Sequence, residues 1–297
     1  MTEPTLFAES GFLRLRIHLA YDGTNFSGWS TQPERRTVQE EIESALEKLA
    51  RTRVETIVAG RTDAGVHARD QVIHVDIPEF ETGPYQKKIN WNYDDLPYRL
   101  NRILDEDIRV LSVALAPRGF HARFSALRRK YEYKIVDSNR TVLPLARYDV
   151  APWYRPLSLE LLQEASVLLL GQHDFAAFCK YRPGGTTIRT LEEFSWNRSA
   201  DETLVARITA DAFCYSMVRN LVGAVVCVAD GRFDSKWVKE LLDNRQRVSD
   251  SLVFPARGLT FVNVEYPPDG ELLERIETTL QRRGEDYAAK QILEEEG

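Results

Sequence analysis

The densest set of reactive side chains in the 297-residue chain is Ala59-Gly60-Arg61-Thr62-Asp63-Ala64-Gly65-Val66-His67-Ala68. Asp63 is a candidate nucleophile or general base, and Arg61 is close enough in sequence to orient it or to bind phosphate. Gly60 and Gly65 bracket the run and allow a loop that holds side chains at a fixed angle over a cleft. A turn aspartate that bonds its own backbone would produce the same pattern. A second feature is Arg219, the one basic residue in the apolar stretch Phe213 to Gly223. Beside Met217, Val218, Leu221 and Val222 it either lies on an outer helix face or is buried against a carboxylate. Pairing with an acid such as Asp63 would keep a partly buried carboxylate ionised.

A third feature is local charge. Between Pro117 and Lys134, Arg118, Arg123, Arg128, Arg129, Lys130 and Lys134 face Glu132 alone. Such a strip can be a solvated basic face. Phe120, Phe124, Tyr131 and Tyr133 are threaded through it, and that mixture suits RNA, whose bases stack on rings while cations hold phosphates. Arg35 and Arg36 are further phosphate candidates. The nucleotide-binding patterns Gly-x-Gly-x-x-Gly and Gly-x-x-x-x-Gly-Lys-Ser/Thr are absent, as is Gly-x-Ser-x-Gly, and the five histidines have no metal-ligand spacing. The expected chemistry is acid–base or nucleophilic, with no metal and no cofactor.

These residues need elements to place them. Leu13, Leu15, Ile17, Leu19 and Tyr21 alternate with Arg14, Arg16, His18 and Ala20, which predicts a half-buried strand. Thr37-Val38-Gln39-Glu40 is a capping box opening a helix with Val38, Ile42, Ala45, Leu46 and Leu49 on one face. Strands are expected over Val54–Ala59, Gln71–Ile77 and Ile108–Leu115, with a helix over Leu96–Leu104. The order is β-α-β-β-α-β. It recurs in strand Lys130–Val136, helix Ser158–Leu170, strands Thr187–Asn197 and Thr203–Ala210, helix Tyr215–Ala229 and strand Leu259–Tyr266, with a short helix near Trp237–Leu242. Thr82–Asp95 reads as an irregular loop. The predicted division is an N-terminal α+β half over 1–116 with the Asp63 loop, a C-terminal α+β half over 117–268, and a tail over 269–297.

The whole chain has 39 Lys+Arg, 45 Asp+Glu and a net charge of −6, with nine acidic and four basic residues in the tail. The body is therefore near neutral, and the basic strip is a local field. No apolar run is long enough to span a membrane. Met1–Leu6 lacks the basic and apolar regions of a secretory signal. Cys179, Cys214 and Cys227 fit neither a disulfide framework nor a zinc site. The expected setting is the cytoplasm.

The motifs together resemble the A family of tRNA pseudouridine synthases. They are Tyr21-Asp22-Gly23-Thr24-Asn25-Phe26-Ser27-Gly28-Trp29, Thr37-Val38-Gln39, Ala59 to Ala68, Phe124-Ser125-Ala126 and Arg129-Lys130-Tyr131-Glu132-Tyr133. Phe213 to Gly223, Gly231-Arg232, Pro255-Ala256-Arg257-Gly258-Leu259 and Val264-Glu265-Tyr266-Pro267 follow in order. They span residues 12–268, leaving out the tail. The resemblance implies that Asp63 is the catalytic aspartate, Arg219 its ion-pair partner and Arg61 an arginine used in flipping the nucleotide. It also implies that Tyr131 stacks on the target uracil and that Leu259 packs near the base. On such a substrate the basic strip, with Arg118, Arg123, Arg128, Arg129 and Lys130, is expected to hold the stem phosphates.

The fold it implies is α+β, two ferredoxin-like halves joined in a continuous antiparallel sheet with helices on one face and the catalytic cleft between the halves. The activity it implies is isomerisation of uridine to pseudouridine at tRNA positions 38, 39 and 40 in the anticodon stem-loop, by a cofactor-free homodimer. Two other readings fit the residues less fully. One is a non-catalytic RNA-binding module, which needs no aspartate in a glycine-bracketed loop. The other is a synthase of the same chemistry acting on another RNA site.

Overall fold

The computed structural model describes residues 7–80, 88–89, 91–138, 140–180, 186–245 and 253–281. They divide into two compact units, Met1–Leu127 with Asn263–Thr279 and Arg128–Val262 with Leu280–Gly297. Each is an α+β assembly with a mostly antiparallel sheet, as the element order predicts.

In the first unit the order is β1 (Phe12–Tyr21), α1 (Val38–Ala50), β2 (Thr56–Val58), β3 (His67–Pro78), α2 (Leu96–Asn101) and β4 (Ile108–Leu115). β1 is central, antiparallel to both β3 and β4, and β2 pairs with β3. Leu15, Ile17, Leu19 and Tyr21 are buried, as the alternation requires. Thr37 caps α1, its hydroxyl accepting from the Glu40 amide at 3.4 Å. The buried residues Val38, Ile42, Ala45 and Leu46 share one helix face.

The other face of β1 and β3 is charged but only partly wet. Arg14 lies opposite Asp76 and is 6% exposed, with Nε and Nη2 each 2.8 Å from a carboxylate oxygen. A bidentate pair satisfies both ions, and Arg14 Nη1 also donates to the Phe120 carbonyl at 3.1 Å. Beside it, His74 Nδ1 accepts from the Ala122 amide at 3.0 Å, while His121 Nδ1 accepts from the amides of Arg123 and Phe124. The two imidazoles meet edge to face with centroids 4.7 Å apart. The His74 bond holds the aromatic Phe120–Phe124 turn onto β3, and the His121 bonds close the turn itself.

Burial, and next the Arg14 charge, push the pKa of His74 down to about 2 and that of His121 down to about 4. The unfolded chain takes up protons below its usual histidine pKa near 6.5 while the folded one does not. Stability is therefore fully present above that value and is lost as pH falls toward 4, by about 1.4 kcal/mol per pH unit for each histidine. Urea midpoints measured from pH 7.5 to 5 should fall, and His121→Asn should flatten the fall. A level profile in the wild type over this range would contradict the buried neutral pair.

The second unit begins with β5 (Arg128–Val136), then β6 (Ala151–Pro152), α3 (Leu159–Val167), β7 (Gly171–Asp174), β8 (Ile188–Arg198) and β9 (Leu204–Ala210). α4 (Met217–Ala229) and α5 (Ser235–Asn244) follow, and β10 (Leu259–Glu265) divides between the units after Val262. β9 pairs antiparallel with β5 and β8, β8 pairs antiparallel with β7, and β6 pairs parallel with β5. β6 and β7 had no sequence signal, because strands of two and four residues show no period. Asp137, 1% exposed, receives both Nη atoms of Arg198 at 2.9 and 3.2 Å and the Leu157 amide at 2.8 Å. Burial opposes its charge, and these donors outweigh burial, so its pKa is lowered.

The expectation about cysteines is corrected. Cys179 and Cys214 are joined by a disulfide, their Cα atoms 5.7 Å apart. They lie 35 residues apart in sequence, and nothing in that spacing reveals the contact. Their segments meet because the Lys180 amide donates to Tyr215 O at 2.9 Å and Asn220 Nδ2 to Phe178 O at 2.7 Å. Cys227 is buried in α4 and lies outside this disulfide. Of the region read as an irregular loop, residues 82–87 and 90 lie outside the described residues. Of the acidic tail, Asp269–Glu271 form a 3-10 turn and residues 272–281 are helical, while 282–297 lie outside the described residues. Among the described residues no helix is long and apolar enough to cross a membrane.

Candidate active site

The Asp63 loop connects β2 to β3 in the first unit, and its backbone is tied on both sides of the aspartate. Thr62 O accepts from the Trp29 amide at 3.0 Å, Asp63 O from the Val66 amide at 3.1 Å, and Phe26 O from the Gly65 amide at 3.3 Å. Gly65 has a φ of +78°, a left-handed conformation that glycine adopts without strain. Thr62 and Val66 are buried while Asp63 is half-buried, so a held backbone presents a reachable carboxylate. Arg61 is exposed two residues before it.

The partner of this loop is the segment after β1. A Cβ on Gly23 would lie 2.0 Å from Val66 O, and one on Gly28 would lie 2.9 Å from Thr62 O. Gly28 also has a φ of +96°. The motif from Tyr21 to Trp29 thus contains glycines because backbone meets backbone there. Asp22 caps the turn, accepting from the Thr24 amide at 3.0 Å and hydroxyl at 2.6 Å. Burial works against its charge, but these bonds and His67 lower its pKa.

Arg118 and Arg123 also belong to the first unit. Both are exposed, over the rings of Phe7 at 5.3 Å and Phe124 at 5.6 Å. Arg36, read as a phosphate candidate, is held by Asp107, Glu41 and Asp105 at 2.6 to 3.1 Å. The bonds to Asp107 lead in raising its pKa further. Three carboxylates neutralise that guanidinium, so it serves the fold rather than a phosphate.

In the second unit Tyr131 sits on the buried face of β5, 7% exposed, edge-on to Phe213 and Phe261 with centroids 5.1 and 5.2 Å away. Arg129 shares that face and donates to Asp211 O at 2.6 Å. Arg128 and Lys130 lie on the opposite, half-buried face, Arg128 3.3 Å from Glu192. Arg219 is the half-buried residue of an α4 whose other residues are all buried. Its Nε donates to Phe254 O at 2.7 Å, and its carbonyl accepts from the Phe254 amide at 3.2 Å. Leu259, 4% exposed, opens β10 directly after the turn Ala256–Gly258. A Cβ on Gly258 would meet the Tyr133 ring at 2.7 Å. Among the described residues there is no cluster of three or more His, Cys, Asp or Glu arranged to hold a metal ion.

The sequence reading did not single out Tyr21, Thr62 and Gln71, which meet beneath the Asp63 loop. A signal for one of them was present. Gln71 opens the apolar run Gln71-Val72-Ile73, and a buried amide in such a strand requires a partner.

Comparison with known proteins bears on what this arrangement serves. The family model for tRNA pseudouridine synthase matches residues 17–125 and 165–267, more than half of the chain. The chain belongs to the tRNA pseudouridine synthase family. A relative from Frankia casuarinae is 47% identical, the match covering 91% of this chain and 95% of that one. One from Streptomyces griseus is 48% identical over 90% and 93%, and one from Mycobacterium leprae 47% over 95% and 99%. All three are named tRNA pseudouridine synthase A. The matched span takes in the Asp63 loop, its Tyr21–Trp29 partner and α4.

Proposed function

We propose that the protein is a tRNA pseudouridine synthase, an isomerase converting uridine to pseudouridine at positions 38, 39 and 40 of the anticodon stem-loop. The observation that carries this reading is the Asp63 loop, a half-buried carboxylate on a backbone tied at Thr62, Asp63 and Gly65, in a chain of this family. In the reaction the C1′–N1 bond of uridine breaks, the uracil turns, C5 bonds to C1′ and loses its hydrogen as a proton, and the freed N1 takes up a proton. Atoms and electrons balance within the nucleotide, so no redox partner is consumed.

Asp63 acts on C1′, on C6 of the ring or on the C2′ proton, and each route requires the nucleotide to be out of its stack. Arg61, exposed beside it, assists that extrusion. Arg219 serves as the ionic partner of Asp63, Tyr131 stacks on the extruded uracil, and Leu259 packs near it. Of the basic strip, Arg118, Arg123, Arg128 and Lys130 suit phosphate contact. Arg129 is the weakest candidate, since it is 8% exposed and bonded to Asp211. A cytoplasmic homodimer goes with this reading.

Primer-extension mapping of carbodiimide-treated tRNA, after incubation with the protein, tests the position. Stops at 38, 39 or 40 in substrates bearing uridine there are expected. Stops elsewhere would assign the same chemistry to another site, and tRNA binding without any new stop would favour the RNA-binding module.

A further inference from the structure

We propose that Tyr21 and Gln71 are positioning residues that set the angle at which Asp63 meets its substrate, an inference that rests on reading Asp63 as catalytic. The Tyr21 hydroxyl is 2.8 Å from Thr62 Oγ1, and Gln71 Nε2 donates to Gly60 O at 2.8 Å and to the Tyr21 oxygen at 3.4 Å. Gln71 Oε1 accepts from the Val72 amide at 3.2 Å, so both ends of the amide are engaged. Tyr21 is 4% and Gln71 0% exposed. The Tyr21 ring lies against Phe26 and Trp29, with centroids 6.4 and 6.3 Å away.

These contacts complete a clamp. The Thr62 side chain is bonded to Tyr21 and its carbonyl to Trp29, so the residue before Asp63 is held by both side chain and backbone. The Gly60 carbonyl is fixed by Gln71, and the turn from Asp63 to Val66 is closed by its own amide bond. Burial pushes the Tyr21 pKa up to about 12, so its proton is present throughout the working range. Buried hydrogen bonds of this kind hold geometry because their loss leaves groups unpaired. A displacement near 1 Å at the reacting centre costs on the order of a hundredfold in rate.

The test is single-turnover C5-tritium release with enzyme in saturating excess over labelled tRNA, a rate independent of the fraction folded. Tyr21→Phe removes one oxygen and keeps the ring, and it should slow this step about ten- to a hundredfold. The dissociation constant for tRNA should change less than about twofold, since a buried group does not touch RNA. Thr62→Val should slow the step similarly and Thr62→Ser, which keeps the hydroxyl, should restore most of the rate. That pair carries the test if Tyr21→Phe does not fold. Gln71→Met should follow Tyr21→Phe. Wild-type rates in Tyr21→Phe and Thr62→Val, with or without a lowered melting temperature, would overturn the positioning role. If Asp63→Asn were inactive in the same assay, the reading of Asp63 would still stand. Release by Asp63→Asn at the wild-type rate would instead remove the reading on which the inference rests.

Discussion

Replacing Asp63 with asparagine is expected to abolish turnover while leaving the protein folded and bound to tRNA. The substitution is nearly isosteric, and the bonds that shape the loop run through its backbone: Thr62 O to Trp29 N, Asp63 O to Val66 N and Gly65 N to Phe26 O. None needs the carboxylate. Removing a nucleophile or base that acts in the bond-making step typically lowers the rate by about a thousandfold or more. tRNA affinity, which the proposed phosphate contacts would supply, should stay within a factor of about two. The paired readings are tritium release and filter binding on the same preparation. Residual release above about a tenth of the wild type would take Asp63 out of the chemical step.

The second large effect is structural and centres on Gly23. An alanine there would set its Cβ 2.0 Å from Val66 O and 2.5 Å from Val66 C, and neither is a side chain that can swing away. Backbone must move, and Val66 closes the turn that begins at Asp63. Overpacking a site that cannot relax costs about 3 kcal/mol or more. Gly23→Ala should therefore lower the urea midpoint and, in whatever fraction folds, slow single-turnover release. Gly270→Ala is the control, since nothing lies within 4 Å of its added carbon, and it should behave as wild type. An unchanged Gly23→Ala would mean that the two loops are not packed backbone to backbone.

Local signals carried most of the elements. β1 alternates, α1 has a capping threonine, and α4 is apolar apart from Arg219 and Asn220, so each announces itself within a few residues. β3 begins at His67, ahead of the expected Gln71, because its polar start belongs to the ladder with β1 at Tyr21 and Ala68. β6 and β7 are too short for a period to show.

The loop that carries Asp63 was legible because glycines flank it. The clamp under it was not, because Tyr21 meets Thr62 and Gln71 across 41 and 50 positions. The same holds for the bonded cysteines and for Arg36, whose partners Asp105 and Asp107 lie far along the chain. Charge runs mislead in a related way. Arg129 sits among five other cations in sequence, yet the alternation of β5 turns it to the packed face while Arg128 and Lys130 face the other way.

The most direct test of the account is tritium release by the wild-type protein from tRNA labelled at uracil C5. Hydrogen leaves C5 only when the new carbon–carbon bond to C1′ forms, so release counts pseudouridines. The account predicts release that rises to a plateau of one tritium for each labelled uridine at positions 38 to 40, with no added metal, nucleotide or reductant. Tight binding of the same tRNA with no release above the protein-free control would contradict it.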